Sequence, residues 1–423
     1  MSGYLLVRGA RQLLTLRGPS GPRRGWALRD LGMIQDGALL IRDGVVVSVG
    51  PSRRVENLSE ARSAREIDAS GRVVMPGFVD SHTHLVGGPG RLAGYETQVS
   101  GARPAAADHS ALLSGARAVR ALPASRLRMQ ARHHLEALIR HGTTTVEGKS
   151  GCGLDQTGEL KILRVLAALR QRPLDVLATY LGTQVIPLEY SGRADDYLEW
   201  VHTQLMPKIR RRRLARFVDA CPGPDGLTVD QTRRHLTAAR GLGFLLKVHA
   251  EQSGHDGTAR LAVELGAVSA DHLAYADEDD VVRLAASSTI ATLLPGAAYQ
   301  PGADRFPPAR ALIEAGAAVA LATDFIPGGA STHSMQMVAA LACSEMRLTP
   351  AEAVSAATIN GAHALGLADR VGSLEAGKQA DLIVLDAPDY REIPYHFGVN
   401  LVAMTLKQGE VLYQQGEVKW PAD

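Results

Sequence analysis

Apolar and polar positions along this chain change period twice, and the changes divide it into three stretches. Over the first seventy residues, short β-branched runs alternate with turn residues. In GALLIRDGVVVSVG (37–50) two such runs flank Asp43-Gly44, a dipeptide suited to a tight hairpin. From about residue 72, short apolar runs alternate with longer amphipathic segments, the pattern of parallel βαβ units. The predicted strands are VVMPGFVD (73–80), TTTVEGK (143–149), LDVLATYL (174–181), RFVDACP (216–222), FLLKVHA (244–250), VSADHL (268–273), TIATLLP (289–295) and AVALATD (318–324). Eight strands, each followed by a segment able to form a helix, predict an α/β fold of the (β/α)₈ TIM-barrel type.

Between the first two strands lie a Gly- and Ala-rich loop (87–107) and a helix near 125–141. A loop of that length at the C-terminal face of a barrel is expected to serve the site. After a helical stretch at 350–366, strands return at 380–388 and 402–418, with Gly409 and Gly416 at turn positions. The two β-rich ends, 1–70 and 368–423, are expected to pair into one small β-sandwich-like domain beside a barrel of residues 71–367. No internal repeat or low-complexity tract interrupts this order.

Composition narrows the function. The chain has 423 residues, 45% of them hydrophobic but only 4% aromatic, so the core is expected to be aliphatic. Its 46 basic and 44 acidic side chains nearly cancel, which argues against nucleic acid or a membrane surface as the main partner. Cys152, Cys221 and Cys343 cannot build a disulfide framework and suit a reducing compartment. Arg8 and Arg11 break the first apolar run before it reaches signal-peptide length, and no stretch nears the roughly 18 apolar residues of a spanning helix. A cytoplasmic enzyme is the expectation.

The candidate chemistry begins at Asp80-Ser81-His82-Thr83-His84. Residues two apart on an extended chain face the same way, so His82 and His84 point together into the barrel mouth. Two histidines at that spacing can equally be structural, and alone they decide little. However, His249, His272 and Asp324 each end another predicted strand, on the face where barrel enzymes keep their sites. His82, His84, His249 and Asp324 are therefore the expected ligands of one divalent ion, with a position left open for water. Asp324 is the candidate acceptor of the water's proton. His272 is cast as the group that orients the nucleophile or the oxyanion, with a fifth ligand or a structural histidine as the alternatives. Three residues beyond His249, Gln252 cannot carry a proton as a glutamate would, which favours cyclic-amide hydrolysis over deamination. Glu251 is expected to face away from the site.

With these residues in place, the chain resembles the imidazolonepropionase family, amidohydrolases of histidine breakdown, over nearly its whole length. The likeness rests on PGFVDSHTHLV (76–86), TTTVEGKSG (143–151), KVHAEQ (247–252), SADHL (269–273), LLPGA (293–297), VALATDFIPG (319–328), GSLEAGKQADLIV (372–384) and YHFGVN (395–400). It implies Zn²⁺ or Fe, a heterocyclic substrate bearing a carboxylate, ring opening to N-formimino-L-glutamate, and a homodimer. Arg91 matches the family's carboxylate-binding arginine, a role a guanidinium fills through two parallel hydrogen bonds. An exposed loop arginine is the plainer alternative.

Four stretches depart from the family. Cys152 replaces a tyrosine, Gln184 in Gly182-Thr183-Gln184-Val185 replaces a histidine, and Ile326 replaces an asparagine. The glycine-rich part of the first long loop becomes Ala105–Ser110. Cys152, Gln184 and Ile326 are thus expected at the substrate, and the exact ring is left open; a different heterocyclic acid or a nitrogen heterocycle for deamination are the alternatives. His333 is either a substituted substrate contact or a loop histidine. Lys149, which might be carbamylated between two metals, is better read as a structural lysine. The run from Lys208 to Arg213 is better read as a solvated helix end than as a nucleic-acid patch.

Overall fold

A computed structural model describes residues 3–88, 95–96, 109–170, 173–223, 226–299, 305–327 and 332–419. Two sheets organise the chain. The first contains nine strands: β1 (Tyr4–Leu14), β2 (Met33–Arg42), β3 (Val45–Pro51), β4 (Arg65–Asp68) and β5 (Val73–Pro76) from one end, and β14 (Leu382–Leu385), β15 (Val402–Lys407), β16 (Glu410–Gln414) and β17 (Glu417–Val418) from the other. They run in the order β17-β16-β15-β14-β5-β1-β2-β3, with β4 beside β1. The two ends meet where β5 pairs antiparallel with β14, setting Val74 opposite Val384. Asp43-Gly44 forms the expected hairpin between β2 and β3; both residues have positive φ, 51° and 78°, as a two-residue turn of the primed type requires. Gln408-Gly409 repeats it between β15 and β16.

The second sheet is the barrel. Its strands are β6 (Phe78–Asp80), β7 (Thr143–Lys149), β8 (Asp175–Tyr180), β9 (Phe217–Ala220), β10 (Leu245–Ala250), β11 (Ser269–His272), β12 (Ile290–Leu293) and β13 (Val319–Leu321). Each is parallel to its neighbours, in unbroken sequence order. All eight sequence-predicted strands are present, with one refinement. The run 73–80 divides at Gly77 into β5 of the small sheet and β6 of the barrel, so one apolar stretch serves both. A side chain at Gly77 would drive its Cβ to 2.2 Å from Thr144 Cγ2, which explains the glycine at the crossing.

Between β13 and β6 the barrel closes just beyond the strand ends. There the amide of Asp324 donates to His82 O (3.1 Å) and that of His84 to Phe325 O (2.7 Å). Below them, Asp80 accepts from the Thr323 amide (3.0 Å) and hydroxyl (2.6 Å). The lower part of the seam is filled by the helix Ile359–Ala364, and Val79 N donates to Ala357 O (2.9 Å). Outside the strands, aliphatic side chains of the surrounding helices build the main core, in keeping with the low aromatic content. Inside, Lys149 and Lys247 are among the largest fully buried side chains, so the barrel's centre is polar.

Candidate metal centre

Five side chains converge at the C-terminal mouth. His82 and His84 follow β6 in extended chain, His249 lies in β10, His272 ends β11, and Asp324 stands just beyond β13; all are buried. The His82 ring centre is 4.8 Å from that of His249 and 5.3 Å from that of His272. One ligand atom each from His82, His249 and His272 lies within 4.8 Å of the others, and the same holds for His82, His84 and Asp324. Two residues owe their aim to backbone that L-residues seldom adopt: φ is 79° at His272 and 53° at Asp324. Simple alternation along β11 would send Asp271 and His272 to opposite faces; the left-handed turn brings His272 back to the mouth.

Whether a metal suits this cluster is answered by its orphaned atoms. His82 Nε2, His272 Nε2 and Asp324 Oδ1 are buried without a hydrogen-bond partner. Such atoms cost stability unless something fills the space between them. The opposite ring nitrogens are occupied: His82 Nδ1 faces Asp271 Oδ2 at 2.7 Å and His249 Nδ1 faces Asp219 Oδ1 at 3.2 Å. With Nδ1 donating to a carboxylate, the lone pair of each imidazole sits on Nε2, where a metal takes it. Burial holds His82 well below the usual histidine range, the charge of Lys149 adding to it, and pushes His84 down to about 3. Neutral imidazoles with one carboxylate fit a divalent transition ion.

Beneath the histidines lies an ionic layer that the sequence reading did not assemble. Lys149 Nζ is 2.6 Å from Asp219 Oδ2, 3.0 Å from Glu147 Oε2 and 3.5 Å from Asp271 Oδ2. Lys247 Nζ lies 3.0 Å from the same Glu147 oxygen and 3.6 Å from Asp271 Oδ2, and donates to Ser81 O at 2.8 Å. Thr179 supplies a hydroxyl to Glu147 Oε1. Every one of these charges is buried. Burial opposes the Lys149 charge, but the three carboxylates outweigh it and hold the ammonium protonated. A protonated amine has no lone pair for carbamylation, in agreement with the structural reading of this lysine.

The sequence matches the amidohydrolase family over residues 73–412. An imidazolonepropionase of Solibacter usitatus is 42% identical over 408 residues, which is 96% of this chain and 97% of the relative. One from Symbiobacterium thermophilum is 40% identical over 420 residues, 98% of each. The chain belongs to the imidazolonepropionase family of amidohydrolases. In overall shape it also resembles a zinc-bound adenosine deaminase from Xanthomonas campestris, with a TM-score of 0.70, 21% identity, and 98% and 94% of the two chains covered. A triazine hydrolase from Arthobacter aurescens gives a TM-score of 0.69 at 18% identity over 98% and 96% of the chains. These two likenesses speak to the fold alone. The chain is thus a hydrolase of cyclic-amide C–N bonds that acts on a small molecule, with a metal site of His and Asp donors.

In this imidazolonepropionase-family chain the remaining candidates lie in different surroundings. Arg91 and the stretch 105–108 lie outside the described residues. Gln184 stands by the segment that carries Cys152: its Oε1 lies 3.4 Å from where a side chain at Gly151 would begin. Both are partly exposed, as is Ile326. Gln252 is exposed and accepts from Cys221 Sγ at 3.6 Å. Cys221, just past the end of β9 and two residues beyond Asp219, carries no site role in the sequence analysis; burial pushes its thiol up to about 12, which suits a wall residue rather than a nucleophile. Glu251 turns away and accepts from the amides of Asp256 (2.7 Å) and Ala259 (3.1 Å).

His333 does not hang free in a loop. Its Nε2 lies 3.3 Å from His134 Nδ1, and its ring centre is 4.0 Å from that of Phe325, the neighbour of Asp324. Burial pushes His134 down to about 4 and His333 to about 3, with neighbouring histidines adding to both shifts. The unfolded chain titrates near 6.5 and so takes up these protons first as pH falls. Stability from the pair is therefore complete above about pH 6.5 and is lost progressively toward pH 3 to 4. Thermal melts followed by circular dichroism should show a smaller drop between pH 7 and 4.5 in His333→Gln than in the parent; equal drops would remove the pair from the cause.

Proposed function

We propose that this chain hydrolyses 4-imidazolone-5-propanoate to N-formimino-L-glutamate around one divalent ion, Zn²⁺ or Fe, held by His82, His84, His249 and Asp324. The supporting observation is that His84, His249 and Asp324 gather around His82, where His82 Nε2 and Asp324 Oδ1 are buried without a partner, in a chain about 40% identical to imidazolonepropionases along its length. When bound, such an ion acts as a Lewis acid and lowers the pKa of water toward about 7. Asp324 is buried beside the histidines, its Oδ1 without a hydrogen-bond partner among the described residues, and in this reading it is the carboxylate that takes up and returns the proton. Asp324 accepts the proton from the attacking water while a bond forms between the water oxygen and the ring carbonyl carbon. His272, held neutral by burial, donates a hydrogen bond to oxygen as charge develops there. The amide C–N bond then breaks and Asp324 delivers its proton to the departing ring nitrogen, so that one water is consumed and no charge is left over.

Arg91 grips the propionate, and Gln184, Cys152, Ile326 and His333 bound the rest of the ring's surroundings, with Gln252 hydrogen bonding rather than shuttling protons. The three free thiols fit a cytoplasmic protein, and a homodimer is the assembly we assign to it.

The test is ring opening of freshly generated imidazolone propionate by the metal-loaded protein, with His249→Ala as control. Turnover at about 1–10³ s⁻¹ that disappears in the variant is the expected result. Stoichiometric metal with no turnover would transfer the same hydrolytic chemistry to another heterocyclic acid, since a site built to hydrogen-bond its substrate discriminates by orders of magnitude.

A further inference from the structure

At the opposite end of the barrel, below the N-terminal ends of β8 and β9, lies a cavity of about 480 Å³ with five arginines in its lining. Arg170 follows the helix Gln156–Ala168; Arg210 belongs to the helix Met206–Arg211 and Arg213 follows it; Arg216 leads into β9; Arg370 comes after the helix Ile359–Ala364. Val176, Ala178, Ala215 and Leu367 give the cavity an apolar floor. The basic run at 208–213, read from sequence as a solvated helix end, therefore contributes two of its arginines to a concave surface shared with three others.

Two features make this more than a scatter of surface charge. The only acid in the lining among the described residues, Asp175, is already bound by Lys407 at 2.6 Å. Among the described residues, none of the five guanidiniums lies within ion-pair distance of a carboxylate, whereas exposed arginines nearby do, as in Arg233–Glu264 at 2.7 Å. Helix capping explains part of their placement: Arg170 donates to Arg213 O (3.2 Å) and Arg216 to Gly366 O (3.0 Å). Each such bond uses one of five N–H groups and leaves the charge uncompensated. Burial lowers Arg216 below the usual guanidinium value; Asp369 opposes that and Arg370 adds to it. In a chain whose net charge is only +2, five unpaired cations around one cavity are a local excess that a multivalent anion would neutralise.

We propose that this cavity binds a small anion carrying a chain of phosphates, of nucleoside triphosphate size, with Arg210, Arg213, Arg216 and Arg370 around the phosphates. Planar guanidiniums grip phosphate oxygens two at a time, and several of them exceed what a single carboxylate calls for. The volume falls in the ordinary range for small-ligand sites, and the apolar floor suits a ring system lying flat. A nucleic acid needs an extended basic track with aromatic stacking positions, which a single concavity floored by aliphatic side chains does not offer.

The test is calorimetric titration of the metal-loaded full-length protein with ATP and, separately, with inorganic tripolyphosphate at about 0.15 M salt, where surface charge is already screened. Saturable binding is expected, weakened about tenfold or more by Arg213→Ala and by Arg370→Ala. Both replace exposed side chains and should melt with the parent; Arg370→Gln, which keeps the packing, serves if either does not. Tighter binding of ATP than of tripolyphosphate assigns the site to a nucleotide, and equal binding assigns it to the phosphate chain alone. Absence of saturable binding by either probe overturns the proposal. So does binding that neither substitution weakens, because the anion would then sit elsewhere, on the metal for instance.

Discussion

Lys149→Met is expected to destabilise the protein by about 3–5 kcal/mol and to weaken metal affinity roughly 10- to 100-fold, although Lys149 touches no metal ligand directly. The substitution keeps most of the side chain's length and removes only its charge. Glu147, Asp219 and Asp271, all within 3.5 Å of the Lys149 ammonium, would then share Lys247 alone. Three buried carboxylates cannot all stay ionised beside one cation. Those that take up a proton lose an acceptor site, and Asp219 and Asp271 are the carboxylates that face Nδ1 of His249 and His82, leaving Nε2 for the proposed ion. Stability is read from denaturant unfolding, and affinity from competition with a coloured chelator. A double variant with Asp219→Asn should recover part of the stability, because both halves of the uncompensated pair are gone, but not the affinity. A Lys149→Met protein with unaltered melting and unaltered metal affinity would show the layer to be passive filling.

Asp324→Asn is expected to act in opposite directions on rate and on stability. Loss of the proton acceptor should lower kcat by about 10²–10⁴, more if the ion is also held less firmly. Yet the metal-free variant should be the more stable protein above neutral pH. Burial raises the folded-state pKa of Asp324 to about 7, far above the value near 3.9 of an unfolded chain. Between those values the folded state holds a proton that the unfolded state has released, so stability falls as pH rises from about 4 to 7. Asparagine, neutral at every pH, escapes that loss, a gain on the order of a few kcal/mol. Melts of the two metal-free proteins at pH 4 and pH 8 decide the matter: the curves should lie close together at the lower pH and separate at the higher. A variant less stable at both would mean that the Asp324 carboxylate contributes favourable contacts without the metal.

Much of the architecture was legible in the sequence, since parallel strands buried on both faces leave continuous apolar runs between amphipathic helices. The division at Gly77 was not, because VVMP and FVD are equally apolar and only the close approach of Thr144 separates them. His82 and His84 were visible through their spacing alone. For His272 the alternation rule would have failed, as its orientation depends on a left-handed backbone that no spacing reports. The ionic layer leaves a trace in the sequence: Glu147-x-Lys149 and Lys247-x-His249 place polar residues on one face of otherwise apolar strands. What the trace could not supply was the partners, which come from strands far apart in sequence. Likewise Arg210 and Arg213 stand in one basic run of the sequence, but Arg170, Arg216 and Arg370 become their neighbours only in the folded chain.

The hydrogen bonds that fasten the first barrel strand to the last run between Asp324 and His82 and between His84 and Phe325. In the proposed centre, the clasp of the barrel and the jaws around the ion would therefore be the same few residues. An ion held from both sides of the seam would act as a rivet, resisting both a simple side-chain swing and a parting of the seam. Release of the ion would then be coupled to local opening of the barrel, and the lifetime of the loaded protein would reflect a barrier to that opening as well as the bonds to the ion.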